Sequence, residues 1–292
     1  IKLNKDNEEF IDESRIRFLI NKYSEYINFP INVQIGDKDE ERVNNNEAIW
    51  LKSKRSVKKD EYDEFYKYIS HDFNEPLLTI HNKVEGKQEY SNLLYIPKKS
   101  PFDIWNRDTP KGLKLYIQRV FIMDDASHFL PLYLRFVKGV VDSNDLPLNV
   151  SREILQDHPL VHSIKTALTK RVIDSLKKLK KDDLSQYSEF WNEFGLVLKE
   201  GPAEEPSSKD DIAELFIFSS TANENNQINR SFDDYIESCQ SDDKKIYYCI
   251  GETYEACANS PHIESLKKAN TEVLLLTDRI DEWLMTSLAE YK

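Results

Sequence analysis

Strand-like patterns in this chain are concentrated between residues 77 and 123, and helical patterns lie on both sides of them. Three runs rich in β-branched and other apolar residues occupy 77–84, 90–96 and 113–123. Strands that are gathered together and flanked by helices are typical of a layered α/β domain. The third run loses its alternation near Arg119, which a β-bulge or burial on both faces would explain.

Helical patterns follow the strands. Apolar residues recur every three or four positions over 159–179, with Pro159 at a position where a first helical residue is tolerated, and again over 184–195, where Gly195 is expected to end the helix. The segment 199–208 (KEGPAEEPSS) contains two prolines, one glycine and no apolar residue larger than alanine. That composition predicts a linker.

The C-terminal part contains a strand pattern at 246–250, a helical pattern at 253–269 and a second strand pattern at 272–277. This order predicts a βαβ unit with parallel strands and a right-handed crossover. The fold class is therefore α/β in three parts: a larger α/β/α domain over residues 1–158, a helical connector over 159–200 and a smaller α/β/α domain over 201–292.

Charge and cysteine content narrow the class of protein. The chain has 52 Asp and Glu against 40 Lys and Arg, a net charge of −12, so neither nucleic acid nor a membrane is expected as a partner. Three cysteines are too few for a disulfide scaffold and indicate a reducing compartment. The first ten residues lack the apolar core of a signal peptide. We expect a piece of a longer, soluble, intracellular protein of the cytoplasm or an organelle.

Local motifs for common chemistries are missing from the sequence. It contains no GxGxxG, no P-loop and no GxSxG nucleophile elbow. Gly251, between a strand and a helix, could cap a phosphate, although such a glycine more often marks a tight turn. His158 and His162 share a helical spacing, but Pro159 stands where a metalloprotease has its glutamate. We therefore expect no metal site.

One segment, 142–156 (DSNDLPLNVSREILQ), has an unusual arrangement. A polar turn leads into a helix that begins near Arg152 and that Asn149 or Ser151 can cap. An arginine beside free backbone N–H groups is suited to gripping phosphate oxygens. The alternative is that Arg152 is a surface residue paired with Glu153 or Asp157.

The same segment closely resembles the catalytic loop in the middle segment of heat-shock protein 90 chaperones. Other stretches resemble that family in the same order, from about residue 14 to the end. They include AIWLKSKRSVKKDEYDEFYKYIS (48–70), SPFDIWNRDTPKGLKLYIQRVFIMDDA (100–126), LPLYLRFVKGVVDS (130–143), FWNEFGLVLKEGPAE (190–204) and EVLLLTDRIDEW (272–283). The motifs WNRD, GLKLYIQRVFIMDDA and FGLVLKEGPAE are most similar to the bacterial HtpG-type branch, which has organellar relatives.

The resemblance implies an ATPase as the parent protein. In this family an N-terminal GHKL-type domain binds ATP with Mg²⁺, a C-terminal domain dimerises, and the middle segment presents an arginine to the γ-phosphate. Arg152 matches that arginine, and Asn149 and Gln156 match the Asn and Gln of the same motif. The nucleotide pocket belongs to the N-terminal domain, so we expect the chain alone to be inactive and to hold no cofactor.

The resemblance also implies binding of client proteins, with co-chaperones as further partners. Trp50 lies among polar residues and matches the family's first loop, which has an exposed tryptophan, while Phe102 and Trp105 follow two prolines. Aromatic residues on loops are good anchors for unfolded chains, and we expect these three to contact clients. The alternative is that each is a core residue beneath its loop.

Two other functions compete with an ATP-driven chaperone. One is a stand-alone interaction scaffold for clients or co-chaperones, which would have no need of Arg152. The other is a small-molecule enzyme that uses the crevice of the C-terminal βαβ unit at Gly251.

Overall fold

A computed structural model of the chain describes residues 4–36, 39–86, 88–106, 112–148, 155, 158–223, 226–239, 245–289 and 291. The chain forms two compact units. Unit 1 comprises residues 1–97, 106–130 and 137–166, and unit 2 comprises residues 98–105, 131–136 and 167–292. The division into parts ending at residues 158 and 200 stays a prediction.

Unit 1 is built around a five-stranded mixed sheet. Its elements are α1 (Glu13–Tyr23), β1 (Asn32–Val33), β2 (Glu41–Arg42), α2 (Lys59–Ser70), β3 (Leu78–Val84), β4 (Tyr90–Ile96), β5 (Leu113–Ile117), β6 (Val120–Ala126) and β7 (Lys138–Ser143). The strand order is β3-β4-β7-β5-β6, in which β5 and β7 are parallel and the other neighbours are antiparallel. The prediction of a mixed α/β fold is confirmed.

The stretch 113–123 is a hairpin and not one strand, so that prediction is wrong. A two-residue turn at Gln118 and Arg119 joins β5 to β6, and both residues have positive φ angles of 50° and 67°. Turns of this hand match the right-handed twist of the strands they connect. The loss of alternation near Arg119 marks this turn, whereas the irregular pairing lies earlier, around Leu115.

The core of unit 1 lies on both faces of the sheet. All seven residues of β4 are buried, as expected for an interior strand. On one face, Leu93, Tyr95 and Val140 belong to a cluster that includes Trp50 and Tyr66. The remaining aromatic rings of the cluster come from α2, β5, β6 and the segment after α1, so this face of the sheet is covered by one largely aromatic layer.

Unit 2 contains a small three-stranded sheet and most of the helices. Its elements are α3 (Pro159–Asp182), which begins in unit 1, α4 (Leu184–Leu198), α5 (Gly201–Glu204), α6 (Lys209–Ala213), β8 (Ser219–Ser220), α7 (Phe232–Ser238), β9 (Tyr248–Ile250), α8 (Tyr254–Ala258), α9 (Glu264–Lys268), β10 (Leu274–Leu276) and α10 (Asp281–Ser287). β10 pairs in parallel with β9 and antiparallel with β8. The predicted βαβ unit is confirmed.

The segment 199–208 is not an extended linker, and that prediction is wrong. It holds α5 and a 3₁₀ turn at Pro206–Ser208, and Lys199, Gly201 and Pro202 are buried. The prolines occupy first or second helical positions, where their missing N–H has no cost. Gly195 likewise lies inside α4, beneath the ring of Trp191, and not at its end.

A search of the described residues for a helix of sufficient length and apolar character to cross a membrane found none.

Candidate functional site

The residues that the sequence predicts to be catalytic fall outside the described part of the chain. Asn149, Arg152 and Gln156 all lie there, and their geometry is therefore not part of the structure described. Two flanking residues are described. Leu146 and Leu155, one on each side of Arg152, are both buried. Apolar side chains thus anchor the segment before and after the predicted phosphate-binding arginine.

The base of this segment is held on one side by the turn between β5 and β6. The Arg119 backbone N–H donates to Oδ1 of Asp142 over 3.2 Å, and the Gln118 N–H donates to the Ser143 carbonyl over 3.1 Å. The Gln118 side-chain amide also donates to the Asn144 carbonyl over 3.3 Å. The turn therefore contacts three consecutive residues at the end of β7.

The other side of the base is held by the turn between β3 and β4. The Asn144 N–H donates to the Glu89 carbonyl over 3.0 Å, and the Glu89 N–H donates to Oδ2 of Asp145 over 2.7 Å. Within the segment, Oγ of Ser143 accepts from the N–H groups of Asp145 and Leu146, both over 3.3 Å. Residues 142–146 thus leave the sheet along a path fixed by hydrogen bonds to both neighbouring turns.

Trp50 is fully buried, so the expectation that it is exposed is wrong and the alternative of a core residue beneath its loop is confirmed. Its ring lies 4.7 Å from Tyr26 and 4.8 Å from Tyr116, measured between ring centroids. Its indole N–H donates to Oδ2 of Asp142 over 2.8 Å. Lys54 and Arg55 are exposed, whereas the Trp50 ring is buried and Asp142 supplies the acceptor that a buried indole N–H requires. A side chain with no exposed area cannot anchor a client in this state.

His81 connects Trp50 to α2. The Trp50 carbonyl can only accept, so Nε2 of His81 carries the proton and donates to it over 3.0 Å. Nδ1 of His81 lies 2.6 Å from the Tyr62 hydroxyl, which then donates to it. Burial lowers the pKa of His81 below its ordinary value, an effect that the Trp50 carbonyl partly opposes. The structure therefore favours the neutral imidazole.

The lowered pKa of His81 predicts a loss of stability in mild acid. As the pH falls below the ordinary imidazole value of about 6.5, the unfolded chain takes up a proton before the folded chain does, and the free energy of unfolding falls by at most about 1.4 kcal/mol per pH unit. We expect His81→Gln to remove this component. Urea unfolding at pH 5 and pH 7.5 should therefore show a smaller difference for the variant than for the wild type, and equal differences would contradict the assignment.

The other two predicted client contacts are exposed in unit 2. Phe102 is 100% exposed at the tip of a turn closed by the Ile104 N–H and the Pro101 carbonyl, 3.1 Å apart. Trp105 is 52% exposed, and the Arg135 guanidinium stacks on its ring 4.9 Å from the centroid. The two aromatic residues therefore sit on a short segment that has defined contacts with the rest of unit 2.

Arg135 organises this part of unit 2. Its Nη1 and Nη2 atoms donate to the two carboxylate oxygens of Glu200 over 2.6 and 2.8 Å, and its Nε donates to the Ile104 carbonyl over 3.2 Å. Its Nη1 also donates to the carbonyl of Leu132, whose side chain is 60% exposed. We call Phe102, Trp105 and Leu132 the apolar surface of unit 2.

Sequence reasoning missed Leu132, Arg135 and Glu200. No local pattern singles out these residues, because the guanidinium and the carboxylate that it binds are 65 positions apart. The available signal was the single charge of Arg135 between Leu134 and Phe136; Glu200 follows Lys199 in a charged stretch and gives no such signal.

The other sites considered from the sequence have structural explanations or lack ligands. A Cβ atom on Gly251 would lie 2.8 Å from the Cys257 sulfur, so close packing accounts for this glycine. Within the described ranges, no three His, Cys, Asp or Glu side chains are grouped in a way that could hold a metal ion.

Comparison with known proteins defines the family. The profile described as Hsp90 protein matches residues 32–292. The chain belongs to the Hsp90 family. The chaperone protein HtpG of Salmonella paratyphi B is 51% identical over 298 aligned residues, which cover 100% of this chain and 48% of that relative. HtpG of Yersinia enterocolitica is 50% identical over 296 residues, covering 100% of this chain and 47% of the relative.

These relatives confirm the resemblance to the bacterial HtpG-type branch. The chain spans about half the length of the curated relatives that it matches, 48% in HtpG of Klebsiella pneumoniae as well. Family membership is therefore established for this chain.

Proposed function

We propose that this chain is the middle segment of an ATP-driven chaperone. It would lie between an N-terminal domain that binds ATP with Mg²⁺ and a C-terminal domain that dimerises. The observation that carries the proposal is the alignment of the entire chain with about half of an HtpG chaperone, 100% of the chain against 48% of the relative. On this proposal the chain alone neither binds nor hydrolyses ATP, and its partners are client proteins, the two other domains and co-chaperones.

The catalytic part of the proposal concerns the segment that follows β7. Arg152 would contact the γ-phosphate of ATP held by the N-terminal domain, with Asn149 and Gln156 assisting. The support is the sequence motif, together with the hydrogen bonds that fix residues 142–146 where the segment leaves the sheet. The decisive experiment compares ATP turnover by the full-length parent with and without the Arg152 side chain.

The client-binding part of the proposal concerns the apolar surface of unit 2. Phe102, Trp105 and Leu132 expose apolar area on two stretches of chain that both accept hydrogen bonds from Arg135, which also pairs with Glu200. Exposed aromatic rings on a stable frame gain free energy by burial against any apolar stretch of an unfolded chain, with little demand on its sequence. Such a surface suits a protein that must bind many different clients.

We expect Phe102→Ser to weaken client binding without destabilising the protein. The ring is fully exposed, so its removal costs the fold little. Burying a phenylalanine side chain contributes about 1.5–3 kcal/mol, and even half of that weakens the dissociation constant by roughly threefold to tenfold. Fluorescence anisotropy of a labelled, permanently unfolded probe protein, titrated with the full-length parent, measures the change.

The matched control is Phe73→Ser. Phe73 is 92% exposed in unit 1, outside the apolar surface of unit 2. Equal weakening by both substitutions would mean that general surface hydrophobicity binds the probe. No change with Phe102→Ser would remove this surface from the proposal.

A further inference from the structure

The hydrogen bonds at the end of β7 lead from a buried tryptophan to the segment that carries Arg152. We infer that Trp50 and Asp142 are positioning residues for that segment: the indole holds the Asp142 carboxylate, which in turn fixes the path along which residues 143–146 leave the sheet. This inference rests on the proposed function of Arg152. It gives Trp50 a role in ATP turnover and not in direct contact with clients.

The first support is the way in which the Asp142 carboxylate is shared. Oδ2 accepts the Trp50 indole N–H over 2.8 Å, and Oδ1 accepts the Arg119 backbone N–H over 3.2 Å. Asp142, near the end of β7, is a buried residue that is only 3% exposed. It pairs with Tyr116 of the parallel strand β5. One carboxylate therefore joins the aromatic core, the turn between β5 and β6 and the start of the predicted catalytic segment.

The second support is that this arrangement is unfavourable for the stability of the fold. Burial raises the pKa of the Asp142 carboxyl, and the hydrogen bonds from Trp50 and Arg119 offset only part of this rise. Gln118 and Arg119 both adopt left-handed backbone conformations, which are unfavourable for residues with a Cβ atom. A buried polar group that is costly for stability, next to strained backbone, is typical of a site where a defined geometry has been retained.

The third support is that Trp50 is held through its carbonyl oxygen and its indole N–H. Its carbonyl accepts from His81, whose other ring nitrogen is bonded to the Tyr62 hydroxyl of α2. Its ring contacts Tyr26, Tyr116 and Phe65. The indole N–H is therefore presented from a rigid position, and a small displacement of Asp142 would lengthen its bond. Loss of that bond would leave residues 143–146 with one anchor fewer and widen the range of positions available to Arg152.

The test is a double-mutant cycle on ATP turnover by the full-length parent. Trp50→Phe keeps a large ring and removes the N–H donor. A misplacement of about 1 Å is enough to lower turnover, so we expect a fall of roughly threefold to tenfold in kcat with the KM for ATP unchanged. In an Arg152→Ala background the same substitution should have almost no effect, because the two residues act through one contact. Trp283→Phe, on a half-exposed tryptophan of α10, is the matched control and should change neither value.

Hydrogen exchange supplies a second measurement that does not depend on Arg152. Trp50→Phe should speed exchange at the amides of residues 144–146 and 148 while leaving those of β4 unchanged, and unchanged exchange at these four amides would overturn the inference. If Trp50→Phe prevents folding, Asp142→Asn replaces it, because an amide presents an NH₂ group to one of the two donors. Equal effects of Trp50→Phe with and without Arg152 would also overturn the inference. If Arg152→Ala by itself left ATP turnover unchanged, that result would instead refute the proposed function.

Discussion

ATP turnover by the full-length parent is expected to fall on the order of tenfold or more when Arg152 is replaced by alanine. A guanidinium offers two parallel N–H donors and a permanent charge to the terminal phosphate. Charge moves onto the phosphate oxygens as the bond breaks, so this contact is stronger in the transition state than in the ground state. Arginine fingers in other nucleotide hydrolases supply roughly 10³–10⁵ in rate. We expect less here, because a contact that also held the domains together would be partly spent on binding.

Three companion variants make this experiment decisive. Arg152→Lys should recover only part of the rate, since a point charge does not reproduce the guanidinium fork. Gln156→Ala should have a smaller effect in the same direction. Arg42→Ala, on an exposed arginine of β2, is the matched control and should leave the rate unchanged. Turnover within about twofold of wild type for Arg152→Ala would favour a stand-alone interaction scaffold, with Arg152 as a surface residue.

The second large effect is expected in unit 2, where Lys199→Met should lower the free energy of unfolding by about 3–5 kcal/mol. The Lys199 ammonium is buried and donates to Asp278 over 2.7 Å and to Asp281 over 2.6 Å. Asp281 is 0% exposed, and its burial raises the pKa of that carboxyl, an effect that Lys199 opposes. Removal of the lysine would leave a buried carboxylate without its cation, which is the costly way to break such a pair.

Urea unfolding of the chain measures this effect, and two variants isolate its cause. Lys268→Met makes the same change in an exposed pair with Glu264, where a loss of only about 0–1 kcal/mol is expected. The double variant Lys199→Met with Asp281→Asn should recover part of the stability, because it removes the unpaired charge. If Lys199→Met lowered the free energy of unfolding by no more than Lys268→Met does, the buried pair would contribute no more to stability than an exposed pair.

Local patterns in the sequence were sufficient for much of the secondary structure. β3 and β4 lie within one residue of the predicted strands, because the alternation and apolar content of a strand are properties of neighbouring residues. The βαβ unit of β9 and β10 was also predicted, although each strand begins two residues later than its sequence pattern. The turn at Gln118 and Arg119 was missed because its residues are not the glycine and asparagine that usually mark a turn with positive φ.

The sequence alone also determined the family and the motif around Arg152, since a long ordered match of residues needs no coordinates. Only the tertiary structure decided that Trp50 is buried while Phe102 is exposed. Both are aromatic residues on loops, and they differ in what lies opposite them. Trp50 has an acceptor in Asp142, 92 positions away in the chain, and a layer of rings around it. Partners so distant in the chain do not alter the local pattern of apolar residues. The sequence pattern therefore does not show which of the two aromatic side chains is exposed.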